Sequence, residues 1–234
     1  MKTKQRKKLE NPVSPESVIM PFTYAEDEHY YVEDLGEIRK KPVYSLLKRI
    51  FDILFSFFGL ILLAFPMLVI AIAIKCSSEG SVFYTQERLG LNGKRFKIVK
   101  FRTMILDAEK DGAQWSAGSD DGRVTKIGLF LRKYRLDELP QLLGCLTGQL
   151  SIVGPRPERE VFYDLFDQHV HGFRERMKVK PGLTGLAQIN GGYDLRPEEK
   201  IVYDVEYIKN RSLWLDISIL VKTVVVVLRH DGAK

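Results

Sequence analysis

The stretch R-L-D-E-L-P-Q-L, residues 135 to 142, sets two adjacent carboxylates, Asp137 and Glu138, just ahead of Pro140 in an apolar setting. Two readings compete. In the plainer one the stretch is a helix start, with Asp137 as N-cap and Pro140 in the first turn, where its missing N–H costs nothing. In the other the two acids do chemistry. Successive residues of a helix are rotated by about 100°, so the pair cannot act as one symmetric clamp. If both are functional, each has its own task.

Cations that could meet a phosphate lie on either side of the pair. In G-P-R-P-E, Arg156 stands between Pro155 and Pro157, whose fixed φ restricts where a guanidinium can point. That geometry suits a phosphate, and equally a rigid turn with a solvated arginine. The run S-V-F-Y-T-Q-E-R-L-G and then L-N-G-K-R-F-K-I-V-K-F-R-T-M reads as two strands around an Asn-Gly turn. The second strand alternates apolar and basic residues and so presents a basic face. V-K-P-G-L-T-G-L-A-Q-I-N-G-G, residues 179 to 192, has four glycines where backbone N–H groups could approach a ligand, but it matches neither the Walker pattern nor the dinucleotide fingerprint.

These residues must be held by something, and the chain has 234 residues, 45% of them hydrophobic, enough for one sizeable core plus an appendage. The formal charge of +6 suits polyanionic partners such as nucleic acid, anionic lipid or phosphorylated small molecules. Basic residues occur without a nucleic-acid-binding module, so that partner is set aside. Cys76 and Cys145 are far apart and outside any zinc or redox spacing, which fits a reducing, cytosol-facing environment. The four histidines do not cluster along the chain, and His171 and His230 read as isolated and solvated.

From Ile53 to Ile74 no residue is charged, and the run reaches the roughly 20 residues that cross a bilayer. It starts too far into the chain, and runs too long, for a cleavable signal peptide. Both flanks are basic: Arg39, Lys40, Lys41, Lys48 and Arg49 before it, Lys75, Arg88 and Lys94 after it. A straight span would export one of them against the positive-inside tendency, whereas a helix that bends at Pro66 and returns keeps both inside. A kinked spanning helix remains the other possibility. Asp52 has Lys48 and Arg49 at helical spacing and is expected to pair with either. Residues 1–40 combine basic and acidic patches without sustained period and read as a mobile extension, 41–76 as the anchor, and 77–234 as the cytosolic domain. Within the last, residues 107–122 read as a surface loop and Lys126–Tyr134 as a helix. The final apolar segment, S-L-W-L-D-I-S-I-L-V-K-T-V-V-V-V-L-R-H, is interrupted by Asp216 and Lys222 and reads as core or as a helix lying at the membrane interface.

Taken together, K-R-x-x-D before a Pro-broken apolar helix, V-F-Y-T-Q-E-R-L-G, F-K-I-V-K-F-R-T-M, L-D-E-L-P-Q-L, V-G-P-R-P-E and K-P-G-L-T-G-L-A-Q resemble the bacterial sugar transferases, the monotopic phosphoglycosyl transferases, in order and spacing from about Lys41 to Gly232. The resemblance implies a small α+β, membrane-associated catalytic domain with an N-terminal re-entrant helix, short strands and interfacial amphipathic helices. It implies transfer of a sugar 1-phosphate from a UDP-sugar to undecaprenyl phosphate at the cytoplasmic face of the bacterial inner membrane, starting an exopolysaccharide or other surface glycan. By the same correspondence Asp137 is the nucleophile and Glu138 the residue associated with Mg2+. Lys100 and Arg156 are phosphate-binding cations, joined by Arg88 and Arg102, for which contact with membrane lipid headgroups is an equal reading. Phe65 stands where a serine often precedes the proline, and Lys180 where an arginine is frequent, so a phosphate contact there would be a point charge rather than a fork. The sugar and the oligomeric state are left open.

Overall fold

The computed structural model describes residues 18, 20, 22–106, 108, 121–192 and 194–229. The basic run Lys2 to Lys8, most of the 107–122 loop, and His230 lie outside the described residues.

Pro42 opens α1, Pro42–Ser77, where a proline costs no hydrogen bond, and Lys75 sits in its last turn, where the helix dipole favours a cation. Its 36 residues, at about 1.5 Å each, give a length of roughly 54 Å. The helical backbone runs through Pro66 without a break, so the two arms expected on either side of the proline form one helix. A single proline removes one N–H and crowds the preceding turn, which bends a helix before it ends it. One stripe of α1 packs on the domain along its length: Asp52 and Ser56, then Leu60 and Leu63, then Met67, Ile70 and Ile74. The recurrence at three and four residues is the helical period. The outward face leaves Phe58, Leu62, Phe65 and Val69 exposed, and α1 is long and apolar enough to cross a membrane.

The strands are short. β2, Phe83–Leu89, pairs antiparallel with β3, Arg95–Phe101, from Phe83 opposite Phe101 to Leu89 opposite Arg95. The connection turns as the sequence suggests, with positive φ at Asn92 (54°) and Gly93 (72°). β4, Ser151–Val153, pairs parallel with β6, Gly182–Thr184, and β1, Tyr30–Tyr31, pairs parallel with β5, Val170–His171. The helices are α2, Lys126–Lys133, α3, Leu142–Thr147, α4, Glu160–Phe166, α5, Leu186–Ile189, α6, Pro197–Asn210, and α7, Leu213–Arg229. Thr125 caps α2 by accepting from Gly128 N at 3.0 Å. Three buried clusters hold these together: one around Leu142, Cys145, Ile152 and Ile208, one around Phe162, Phe166 and Phe173, and one joining Ile74 to Phe101 and Leu131.

Several sequence expectations change here. Residues 22–40, read as part of a mobile extension, are a strap on the domain. Phe22, Tyr24 and Val32 pack on the second cluster and Leu35 and Ile38 on the first, while Leu35 N donates to Glu175 Oε2 at 2.8 Å. Each contact is a single residue meeting a distant element, so no local period announces it. The strap also gathers histidines: His29 stacks between His169 and His171, and His171 Nε2 lies 3.2 Å from His29 Nδ1. His171 is therefore neither isolated nor simply solvated. Asp52 pairs with neither Lys48 nor Arg49. It accepts from Ser151 Oγ (3.1 Å) and Ile152 N (3.0 Å), while Lys48 reaches Asp216 at 2.9 Å. The α7 helix divides its roles, burying Asp216 and Ile219 and exposing Trp214, Ile217, Val221, Val224 and Leu228.

Candidate active site

Asp137 and Glu138 lie in a 3-10 turn, Leu136–Gln141, which leads directly into α3. Arg135 precedes the turn in the left-handed conformation (φ 54°, ψ 23°), which breaks the helical path of the chain after α2. Asp137 is thus inside the turn and not its cap, as a plain helix start would have it. Leu136 is tucked against the third cluster and Leu142 into the first, so the two acids are held between anchored apolar neighbours. Both are buried, each 8% exposed.

Their surroundings differ. Glu138 Oε1 accepts from Lys100 Nζ at 2.8 Å and from Arg156 Nη2, and Oε2 accepts from Arg156 Nη1 at 3.2 Å. Lys100 comes from β3 and Arg156 from the turn after β4, so one glutamate ties two distant segments to the turn that leads into α3. Burial pushes this carboxyl up, but Arg156 and Lys100 together outweigh it and hold Glu138 well below the ordinary glutamate range. Asp137 has no hydrogen-bond partner among the described residues. Burial pushes it up to about 6, with Lys100 pulling against that and ionised Glu138 adding to it; Arg132 and Arg156 act more weakly. The neighbouring acids are therefore driven apart, one locked as an anion and the other poised near neutrality.

Three cations, Lys100, Arg132 and Arg156, face two carboxylates, and this excess favours a further anion such as a diphosphate. Arg132 was not among the residues singled out from the sequence; its Nε donates to Thr103 Oγ1 at 3.0 Å, and only the fold brings α2 alongside the turn. Gln141 is a second addition, buried with its Nε2 making no hydrogen bond among the described residues. The structure does not bring the other sequence candidates to the dyad. Arg88 holds Glu158 at 3.0 Å. Arg102 donates to Ser78 Oγ (2.7 Å) and Ser78 O (3.0 Å), bracing the end of α1. Lys180 lies near Arg49 and Asp52 under α1, where burial lowers its basicity and the Arg49 charge lowers it further.

Among the described residues no cluster of three or more metal-ligating side chains occurs. Magnesium typically takes only one or two carboxylates, completing its shell with water and phosphate oxygens. Glu138, whose two oxygens are taken here by Lys100 and Arg156, is the carboxylate that would offer such a ligand.

Residues 43–230 match the bacterial sugar transferase family. A UDP-N-acetylgalactosamine-undecaprenyl-phosphate N-acetylgalactosaminephosphotransferase of Aeromonas hydrophila is 40% identical over 88% of this chain and 49% of its own length. A UDP-glucose:undecaprenyl-phosphate glucose-1-phosphate transferase of Escherichia coli is 41% identical over 84% of this chain and 45% of its own length. The chain thus spans about half of these two relatives. Against the exopolysaccharide production protein ExoY of Rhizobium meliloti, 37% identical, the match covers 89% of this chain and 96% of that one. With four-fifths of its residues inside the match, and the paired acids and their cations at one place in the fold, the chain belongs to the bacterial sugar transferase family.

Proposed function

We propose that the protein transfers a sugar 1-phosphate from a UDP-sugar to undecaprenyl phosphate, releasing UMP and leaving a polyprenyl diphosphate sugar, as the first membrane step of exopolysaccharide or other surface glycan synthesis. The observation that carries the reading is the unequal dyad: Glu138 is occupied by Lys100 and Arg156, and Asp137 has a carboxylate free to form a bond. In the first step an Asp137 oxygen attacks the sugar-linked phosphorus, the bond to the UMP oxygen breaks, and an aspartyl phosphosugar remains. In the second an oxygen of the lipid phosphate attacks the same phosphorus, the Asp137–phosphorus bond breaks, and the carboxylate is regenerated. Lys100 and Arg156 leave Glu138 for the diphosphate and stabilise charge on the departing UMP. A magnesium ion held by Glu138 would supply further neutralisation of phosphate charge when bound.

In this reading α1 enters the cytoplasmic leaflet of the bacterial inner membrane and returns, bending at Pro66, and the exposed apolar faces of α1 and α7 meet lipid. The basic residues on both flanks then stay on the cytosolic side. The α1 stripe that packs on the domain keeps the dyad close to the headgroups, where the lipid phosphate is.

Purified protein incubated with magnesium, undecaprenyl phosphate and a panel of UDP-sugars tests the chemistry. UMP release by the wild type and not by Asp137→Asn, with a phosphosugar adduct on Asp137 in mass spectra, is the expected result; equal release by both removes Asp137 from the reaction. A cysteine placed ahead of α1 tests the path of the helix, since labelling from outside intact cells is incompatible with a return to the cytosol.

A further inference from the structure

Arg156 sits in a turn whose two ends are tied to different parts of the fold. Upstream, Gly154 N donates to Thr184 O (2.8 Å) and Gly182 N donates to Pro155 O (2.9 Å). A Cβ on Gly154 would come within 2.5 Å of Lys180 O, so the backbone lies hard against β6 and only glycine fits. Downstream, Leu89 N at the end of β2 donates to Glu158 O at 3.1 Å. From the same strand Arg88 Nη1 donates to Pro157 O (3.4 Å) and to Glu158 Oε2 (3.0 Å), while its Nη2 donates to Gln86 Oε1 at 2.5 Å.

The Glu158 carboxylate is the unusual part of this anchor. It is 7% exposed, and burial alone would drive it neutral. Burial is the largest single influence, but Arg88, Lys200 of α6, Arg176 and Arg156 together outweigh it and keep the carboxyl below its ordinary range. Behind it Arg176 and Asp204 form a pair at 2.7 Å, almost wholly buried. Removing one member of such an arrangement is costly, whereas an apolar filling of the same space is often as stable. What the charges fix here is geometry: two hydrogen bonds from one guanidinium nitrogen, Nη1, onto the residues immediately after Arg156, with Nη2 held by Gln86.

We propose that Glu158, gripped by Arg88, is a positioning residue for Arg156: it pins the downstream end of the Pro155–Glu158 turn so that the Arg156 guanidinium reaches the site of the donor's diphosphate. The proposal rests on the phosphate-binding role given to Arg156 above. It also gives Arg88 a different task from the direct phosphate contact expected of it, because both its terminal nitrogens are committed to the turn and to Gln86.

A double-mutant cycle in lipid nanodiscs separates these possibilities, using UDP-glucose or UDP-N-acetylgalactosamine, whichever the wild type turns over. Glu158→Gln keeps the shape and removes the charge. Its kcat/KM falls tenfold to a hundredfold, about the effect of displacing a positioned group by an ångström. On an Arg156→Ala background the same substitution changes kcat/KM by less than twofold, because nothing is left to position. An equal loss on both backgrounds overturns the proposal, since Glu158 then acts on substrate or on the fold generally. Arg156→Ala turning over at the wild-type rate refutes instead the phosphate role of Arg156, a separate outcome. Arg88→Lys provides the check should Glu158→Gln fail to fold. It retains the charge but loses the second nitrogen, whose bond to Gln86 sets the direction of the first, so a smaller loss, again absent without Arg156, supports the assignment, and a loss undiminished without Arg156 contradicts it.

Discussion

Two buried aspartates teach opposite lessons about what burial means. Asp52, on α1, is 2% exposed and takes hydrogen bonds from a hydroxyl and a backbone N–H of β4. Asp137, in the turn before α3, is 8% exposed and takes none among the described residues. The first is a fastener between α1 and the domain. The second carries an unmet need for a partner, which a phosphorus atom can satisfy. Burial therefore does not by itself mark a candidate nucleophile; burial without hydrogen bonds, next to cations committed elsewhere, does.

The sharpest way to break this contrast is to neutralise each aspartate in turn. Asp137→Asn lowers UMP release by at least about a thousandfold, because an amide cannot form the acyl phosphate. Its thermal midpoint in nanodiscs holds or rises, since a costly buried charge has gone. A large fall in midpoint would make Asp137 a fastener like Asp52.

The pH dependence comes next in size. With the Asp137 carboxyl pushed up to about 6, kcat/KM falls about tenfold for each unit below pH 6 and is flat just above it. Stability moves the other way. The folded protein holds this proton more tightly than the unfolded chain, so its contribution is complete below the ordinary value of 3.8 and is lost as pH rises through about 6. A shift of about two units corresponds to roughly 3 kcal/mol. Asp137→Asn lacks this loss, so its midpoint at pH 7 relative to pH 4.5 lies higher than that of the wild type. If wild type and variant shift alike, the proton belongs to another group.

Asp52→Asn reverses the pattern. Both hydrogen bonds fall on Oδ1, so the amide oxygen can keep them but loses the charge that strengthens them, at a cost of about 1–3 kcal/mol. The midpoint falls by about 5 °C, while UMP release per folded molecule stays within twofold of wild type. A selective loss of turnover would mean that the α1 junction and the dyad are coupled.

How far the sequence reaches follows the same division. The dyad, Lys100 and Arg156 were singled out through the family resemblance rather than from residue type alone, and the structure brings all four to one place. The β2–β3 hairpin was readable from local alternation and the Asn-Gly turn, and α2 from a helical run whose threonine cap the structure adds. What local pattern does not carry is which partner a charged side chain chooses across the fold. Asp52, with two cations at helical spacing, takes neither, because β4 offers donors already oriented and buried. Arg102 and Lys180 look like phosphate ligands by type, yet they brace Ser78 and lie beneath α1. The strap and its stacked histidines depend on contacts more than a hundred residues apart, such as His29 with His171. The charge of Arg132 acts on Asp137 from a separate helix, across the left-handed residue Arg135.

The smallest predicted effect probes whether the fastening side of the comparison is uniform. Arg49 of α1 donates from Nη1 to Cys145 O (2.7 Å) and from Nη2 to Leu146 O (2.8 Å), two carbonyls at the end of α3 where the helix dipole is negative. Gly148, at φ 88°, ends that helix, and a Cβ there would come within 3.1 Å of Arg49 Nη2, so the fork and the glycine fit one another. Arg49→Lys keeps the charge but reaches only one carbonyl, which costs about 1 kcal/mol and lowers the midpoint by about 2–4 °C. The dyad turn feeds directly into α3 at Leu142, so this is the fastener with the shortest path to the chemistry. Because Leu136 and Leu142 are anchored in separate apolar clusters, the turn holds its shape when the far end of α3 loosens. The kcat of Arg49→Lys therefore stays near wild type, and a tenfold fall in kcat at an unchanged KM would place α3, and with it the membrane helix, inside the catalytic machinery.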